Sequence, residues 1–235
     1  MIKFDVITIF PEAFESYVKT SILGRAVKKK LIKINLHNLR DFTTDKHRKV
    51  DDSPFGGGPG MVLKIQPIFE AVEFLKSEVK SQKSKVRTIL FSTRGKKLDQ
   101  KTAKRLSKYD NLILICGRYE GVDERVAEYI ADEEISIGDY ILSGGELPAI
   151  ILIETVSRHI KGVLGRHESL EELKGSYPVY TRPEIFEATS NPPTLKLRRA
   201  GKKQRTRNKR KAIWKVPPVL LSGNHKKIEE WRALH

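Results

Sequence analysis

Apolar and polar positions alternate over residues 3–9, and Pro11 then interrupts the run, so the chain opens on a strand and a turn. Across 12–30 the apolar residues Phe14, Tyr17, Val18, Ile22, Ala26 and Val27 fall on a helical stripe. Residues 31–39 alternate again, with Ile32, Ile34 and Leu36 against Lys33, Asn35 and His37, which predicts a second strand. Residues 40–61 are polar, then glycine-rich, and read as a long loop. Pro67 suits the first turn of a helix over 66–81. The apolar runs 86–91 and 112–116 read as buried strands, with a helix over 98–109 between them. A short helix over 122–130, a short strand over 134–137 and a helix over 147–160 complete the pattern.

Strands alternating with helices predict an α/β domain with a largely parallel sheet. The consecutive apolar residues Ile113, Leu114 and Ile115 fit a sheet covered on both faces. This texture fills residues 1–161. Residues 162–180 contain Gly, Glu and Pro without a sustained period and read as an interdomain linker. Residues 181–235 hold several prolines, a basic block and a closing helix over 226–234, with Ser222 and Asn224 as capping candidates. No internal repeat is visible.

Composition changes the picture in two ways. The 235 residues are 39% hydrophobic, enough for a packed core in one or two domains. A single Cys excludes an internal disulfide framework and any multi-Cys metal site. Residues 1–10 lack a basic leader and a cleavage site, so they do not read as a signal peptide. The apolar stretch near 147–153 is far shorter than the about 20 residues that span a bilayer. The expectation is a soluble, cytoplasmic protein with no membrane association.

Charge adds the second change. Lys and Arg total 45 against 29 Asp and Glu, a net +16, which suggests a polyanionic partner, most simply nucleic acid. Ten of the Lys and Arg residues, and no acid, lie in residues 196–211, among them Lys202 and Arg205. Most of the excess is therefore one local block of the kind that touches phosphates.

Glycine concentrates in three stretches, 51–61, 116–125 and 136–148. None is a Walker P-loop, and no dinucleotide fingerprint opens a helix. Each loop alone is explained by tight turns. The second and third, however, follow predicted strands, at the edge where open α/β sheets bind ligands. They mix Gly with Arg, Tyr, Glu and Asp, so bare backbone can grip an adenine or ribose edge while side chains reach a second substrate. The histidines, among them His37, His47, His159, His167 and His225, do not stand at metal-ligand spacing, and no residue is assigned to a metal. Cys116, at a strand end, reads as a small buried residue and not a nucleophile.

At these residues the sequence resembles the bacterial tRNA (guanine-N1)-methyltransferases of the TrmD type, in the SPOUT superfamily. The matching segments are residues 4–11, residues 47–50 running into the 51–61 loop, the 117–125 loop, the 136–148 loop, Gly162-Val163-Leu164-Gly165, Tyr180-Thr181-Arg182-Pro183-Glu184, and residues 219–225. They span nearly the whole chain and keep their order.

The resemblance implies a SPOUT-type α/β fold with a C-terminal trefoil knot, a departure from the rule that chains do not thread their own loops. It also implies a small, mostly helical C-terminal tRNA-binding domain. It implies S-adenosyl-L-methionine as cofactor, a divalent ion such as Mg2+, and a homodimer whose active site lies at the subunit interface. The substrate would be the guanine at position 37 of tRNA. By matching position the cofactor would meet Phe91, Ser92 and Thr93, then Gly117 and Tyr119, then Ile137, Gly138, Asp139, Tyr140, Ile141 and Leu142. Gly144, Gly145 and Pro148 would shape the pocket. Arg118 and Tyr119 match residues that meet the flipped base, and Asp52 and Gly58 lie in the matching first loop. Lys202 and Arg205 of the basic block are further tRNA candidates. Thr93 stands where relatives often carry Pro.

Guanine N1 carries a proton at neutral pH, so methylation there needs a general base. Charge then builds toward O6, where a fixed cation stabilises it. In the family the O6 partner matches Arg158, and Glu120 matches a residue tied to proton handling. The base position departs from the pattern. Many relatives carry Glu-Asp-Ser-Phe after the Gly-Val-Leu-Gly turn, with the Asp as proton acceptor. Here the ungapped equivalent is Leu173, in a shorter linker, so Glu171 or Glu172 would supply the carboxylate, with Glu172 favoured.

Two more departures follow. Residues 185–215 separate Glu184 from the Val216 segment, so the basic block, about 187–215, reads as an insertion that grips tRNA. The chain ends soon after its last helix, so the C-terminal domain reads as shortened. Two alternatives stay open: an RNA-binding protein of this fold with weakened catalysis, and a SPOUT methyltransferase acting on another RNA. The intact Gly117, Tyr119, Glu120, Arg158 and 136–148 run speak for the enzyme.

Overall fold

Ile2, Phe4 and Val6 of the first strand, β1 (Ile2–Thr8), are buried on one side, and Ile7 on the other. A strand buried on both faces needs a layer of helices on each. The computed structural model, which describes residues 1–79, 83–165, 177–188 and 212–234, supplies both layers. The chain divides into two compact units, Met1–Leu170 and Glu171–His235.

In the first unit five parallel strands form one sheet. They are β1, β2 (Ile32–Asn38), β5 (Val86–Lys97), β6 (Asn111–Ile115) and β7 (Glu133–Ser136), in the order β2-β1-β6-β5-β7. One face is covered by α2 (Ser21–Lys28), α4 (Gln100–Leu106) and α6 (Glu146–Ser157), through Leu23, Ala26, Ala103, Leu106, Leu152 and Ile153. The other is covered by α3 (Ile65–Ser77) and α5 (Glu124–Tyr129), through Ile68, Val72, Leu75 and Val126. The parallel α/β sheet covered on both sides is thus as the apolar runs predict.

Three local expectations are corrected. The stripe over 12–30 is not one helix. A 3-10 turn (Pro11–Phe14) and the short α1 (Glu15–Val18) precede α2, because Thr20 is extended (ψ 162°) and Ser21 takes φ 46°. Thr and Ser favour such junctions over helix interiors, and the periodicity runs through the break. Next, β5 continues past Phe91 to Lys97. Its pairing with Ile135 is made at Phe91 and again at Lys96, so Ser92, Thr93, Arg94 and Gly95 bulge out of the ladder. Those residues are polar because they line a cavity, and polarity hid the strand. Finally, the loop over 40–61 contains a 3-10 turn (Leu39–Phe42) at its start and ends on a two-strand ladder of β3 (Asp51–Asp52) with β4 (Val62–Leu63).

The described part of the second unit holds a hairpin and two helices. β8 (Ile185–Ala188) pairs antiparallel with β9 (Ala212–Lys215), and the Phe186 and Trp214 rings stack with centroids 5.6 Å apart. α7 (Pro218–Leu221) and α8 (His225–Leu234) follow, the latter capped by Asn224 Oδ1, which accepts from the Lys227 N–H at 3.2 Å. The hairpin was not foreseen; only the last helix was.

Candidate active site

The carboxyl ends of β5, β6 and β7 open onto one cavity of about 500 Å³. Phe91, Ser92 and Thr93 line it from the β5 bulge, and Gly117 and Tyr119 from the loop after β6. Ile137, Gly138, Tyr140, Ile141 and Leu142 line it from the loop after β7, with Gly144, Gly145 and Pro148 at the start of α6. Of the expected cofactor contacts only Asp139 is absent from the lining; its carboxylate is paired with Lys97. Residues at the mouths of adjacent parallel strands meet in space whatever their separation in sequence, which is why the β5 bulge and two distant glycine loops build one pocket.

Two glycines make this joint possible. The Gly145 N–H donates to the Gly117 carbonyl at 2.9 Å, and a Cβ on Gly145 would stand 2.6 Å from the Cys116 Cα. A Cβ on Gly144 would fall 2.2 Å from Arg118 Nε and 2.6 Å from Glu146 Oε2. Tyr119, between them in the wall, takes φ 61°, a left-handed conformation that a bulky residue rarely adopts and that recurs at functional sites.

Arg118 lines the cavity and is fixed from two sides. Its Nε donates to Glu146 Oε2 at 2.9 Å, and its guanidinium carbon lies 4.7 Å from the centre of the Phe10 ring. Glu146 is only 3% exposed, in the first turn of α6, where the helix dipole favours a carboxylate. Its other oxygen accepts from Thr8 Oγ1 at 2.7 Å. Neither Thr8 nor Glu146 stood out in the sequence; an acid in a helix first turn is too common to signal a site.

Glu120 also lines the cavity, and its N–H donates to the Met61 carbonyl at 3.0 Å. Leu63 N–H and Asp123 N–H bond in turn to the Gly121 and Leu63 carbonyls, both at 3.0 Å. The return arm of the first glycine loop is thereby docked on the second. Asp52, on the outgoing strand β3, and Gly58, between the two strands, do not line the cavity. Asp52 pairs with Lys64 at 3.3 Å, and a hydrogen bond from the Ser53 N–H, with Lys64 beside it, holds its carboxyl below the usual range.

Arg158 is the C-cap of α6, at the end opposite Glu146. Pro148 of α6 lines the cavity, and ten residues on, a rise of about 15 Å, Arg158 stands well away from it. Glu171, Glu172, Lys202 and Arg205 lie outside the described residues. Cys116 is buried, and burial, then the nearby Glu146, pushes its thiol well up, so it stays protonated. Among the described residues no three His, Cys, Asp or Glu side chains converge as a metal group.

Several lining residues were given no role from the sequence, among them the polar Arg94, Glu124, Glu134 and Ser143. Glu134 is informative, since its Oε2 is buried with no hydrogen-bond partner among the described residues. Such an acceptor fits a ligand that brings hydroxyl or amino donors. The adjacent Arg94 and Glu124 are bound to each other at 2.7 Å.

A family model described as tRNA (Guanine-1)-methyltransferase TrmD matches residues 2–213. A tRNA (guanine-N(1)-)-methyltransferase of Ruminiclostridium cellulolyticum is 48% identical over 235 residues, 98% of this chain and 89% of that protein. The protein of the same name from Clostridioides difficile is 45% identical, over 98% and 90%. The crystal structure of a tRNA (m1G37) methyltransferase from Aquifex aeolicus superposes with a TM-score of 0.74 at 39% identity. It covers the whole of this chain and 88% of that one.

Proposed function

The chain belongs to the TrmD family of tRNA (guanine-1)-methyltransferases, and from that premise we propose that it transfers a methyl group from S-adenosylmethionine to N1 of guanine 37 in tRNA. The observation that carries this reading is the cavity at the carboxyl edge, walled by the β5 bulge and the glycine loops after β6 and β7 and rimmed by Arg118, Tyr119 and Glu120. Its volume of about 500 Å³ is within the range of small-molecule sites. The glycine backbone leaves room for an adenine, and the orphaned Glu134 Oε2 is an acceptor for a ribose hydroxyl.

When bound, the cofactor supplies an electrophilic methyl on a sulfonium. The protein must take the N1 proton, stabilise charge at O6 and hold the base in line with the methyl. The base must leave its stack, and Tyr119, exposed in its left-handed turn, offers a face for it. Glu120 is the carboxylate nearest that turn. Glu172, or Glu171, takes the N1 proton. Single-turnover rates of Glu171→Gln and Glu172→Gln separate the two, and unchanged rates in both remove the assignment. The divalent ion is given no residues.

A homodimer completes the site. Arg158 is about 15 Å along α6 from Pro148 in the cavity wall, so a second subunit is what brings such a residue to the base. The outer side of α6 is itself unusually apolar, with Leu147 58% and Ile151 41% exposed one turn apart. A helix that is apolar all round is normally covered.

The remaining finer assignments follow the same reading. Residues 1–161 form the methyltransferase domain, 162–180 the linker and 181–235 the tRNA-binding domain. The return of the chain after β7 from the sheet edge, to bridge Gly144 with Arg118 in the loop after β6, supports the trefoil-knot reading. The basic segment leaves and rejoins the chain at one point, the paired Ala188 and Ala212, and offers its charge to tRNA phosphates. A cytoplasmic place of work follows from the tRNA substrate of this reading; separately, no helix among the described residues is long and apolar enough to cross a membrane. An RNA-binding role without catalysis is not favoured, since the relatives from Ruminiclostridium cellulolyticum and Clostridioides difficile are named as methyltransferases.

The test uses two tRNA transcripts that differ only at position 37, one with guanine and one with adenine, incubated with methyl-labelled cofactor. Label in the first alone supports the reading; equal label in both contradicts it.

A further inference from the structure

We infer that Glu146 is a positioning residue for guanine recognition: its buried carboxylate holds Arg118 so that the two terminal guanidinium nitrogens are left for the O6 and N7 edge of the target base. The inference rests on the methyltransferase reading above and assigns a determinant within that site.

The manner in which Arg118 is held is the key observation. The other described arginines that meet carboxylates spend their terminal nitrogens: Arg87 meets Glu133 through Nε at 2.9 Å but donates Nη2 to the Asp132 carbonyl at 3.2 Å. Arg105 grips Glu133 with both, at 3.1 and 2.6 Å, Arg94 grips Glu124 with Nη2 at 2.9 and 2.7 Å, and Arg125 uses Nη2 with Nε on Asp123. The fork is the stronger grip, and an arginine kept only for charge pairing uses it. Arg118 meets Glu146 through Nε alone, at 2.9 Å, and its terminal nitrogens have no hydrogen-bond partner among the described residues. The side-on bond fixes the guanidinium and leaves the fork unused.

The rest of the cluster serves that fixation. The Phe10 ring lies against the guanidinium face at 4.7 Å and limits its roll. Thr8 Oγ1 accepts from the Phe10 N–H at 2.9 Å and donates to Glu146 Oε1 at 2.7 Å, so one hydroxyl ties the ring's backbone to the carboxylate. Glu146 is therefore satisfied on both oxygens, as a buried carboxylate requires. Gly144 leaves the space the pair occupies.

An arginine fork matches guanine, which presents two acceptors, O6 and N7, along one edge. It leaves N1 and its proton accessible. Adenine presents an amino donor in place of O6, and a guanidinium, which has only donors, cannot pair with it. O6 has two lone pairs, so the Arg118 fork and the Arg158 contact that the resemblance implies can share it, and the fork adds a reason for guanine to be chosen.

The test measures single-turnover methylation of tRNA carrying guanine or 7-deazaguanine at position 37. The proteins are the wild type, Glu146→Gln, Arg118→Lys and the double variant, with S-adenosylhomocysteine affinity and melting temperature measured for each. Removing N7 should slow the wild type on the order of tenfold or more. Glu146→Gln and Arg118→Lys should each slow methylation of guanine comparably and respond little to loss of N7. The double variant should be no slower than Arg118→Lys, because both act through one contact. Cofactor affinity should stay within about twofold. Should Glu146→Gln fold poorly, Thr8→Val, which frees only the second oxygen, should show the same blunted response to 7-deazaguanine. Losses that multiply in the double variant overturn the inference. So does a wild type that methylates guanine 37 but ignores loss of N7, and that result leaves the proposed function standing. A wild type that does not methylate guanine 37 overturns both.

Discussion

The backbone N–H of Gly145 donates to the carbonyl of Gly117 at 2.9 Å, and this bond fastens the loop after the last strand of the sheet to the loop after β6. It closes the cavity wall, and it requires that residue 145 carry no side chain against the Cys116–Gly117 backbone. The cofactor reading depends on this joint more than on any side chain.

Gly145→Val should therefore separate the loops. Its Cβ would have to stand 2.6 Å from the Cys116 Cα, a backbone clash that no rotamer relieves. Overpacking of this kind costs about 1–3 kcal/mol. Calorimetric titration with S-adenosylhomocysteine should show at least tenfold weaker binding. Affinity equal to wild type would disconnect the joint from the cofactor.

Ile151→Glu places a charge on the outer side of α6 without entering the core. Sedimentation or light scattering should report a monomer where the wild type is a dimer, and methylation should fall with dimer content. An active monomer would remove the argument that a second subunit completes the site.

Asp5 gives a pH signature unrelated to catalysis. Burial pushes its carboxyl up, but hydrogen bonds from His37 at 3.0 Å and Asn35 at 2.7 Å, with Lys3, outweigh it and bring the pKa from 3.8 to about 2. The folded value lies below the unfolded one, so the stabilisation is complete above about pH 4 and is lost as pH falls toward 2. It amounts to about 2 kcal/mol at neutral pH. Urea unfolding of Asp5→Asn should show about that deficit at pH 7 and a shrinking one below pH 4. A deficit that does not change with pH contradicts the assignment.

Deleting residues 196–211 removes ten Lys and Arg residues beyond the β8–β9 stem. The affinity for tRNA should drop, and the slope of log affinity against log salt should flatten by about 0.7–0.9 for each phosphate that the segment neutralises. Cofactor affinity should not change. Equal salt slopes with and without the segment would show that it does not touch tRNA.

How much of this was legible depended on whether the signal was local. Strands such as Asn111–Ile115 announce themselves because every side chain is buried. The three glycine loops were visible as loops, and the position of the second and third after strands placed those two on one edge. The break at Thr20 and Ser21 was hidden because an apolar stripe keeps its period across a short irregular turn. The hairpin of Ile185–Ala188 with Ala212–Lys215 was hidden because its strands are too far apart for any turn signature.

The Glu146 network was the least legible part. Its partners lie 138 and 28 residues away, at Thr8 and Arg118, and only the sheet order brings them together. Arg118 itself was singled out from its loop, but what holds it was not. Arg158 shows the reverse case, a residue assigned from the resemblance whose place in a single subunit does not explain its role.

The central claim is methyl transfer to one nitrogen of one base. Purified protein, unmodified tRNA and cofactor with a deuterated methyl group should be incubated together, and the tRNA digested and sequenced by mass spectrometry. The account predicts deuterium in 1-methylguanosine at position 37 and nowhere else. Deuterium at another nucleotide, in another methylguanosine, or in no nucleotide would contradict it.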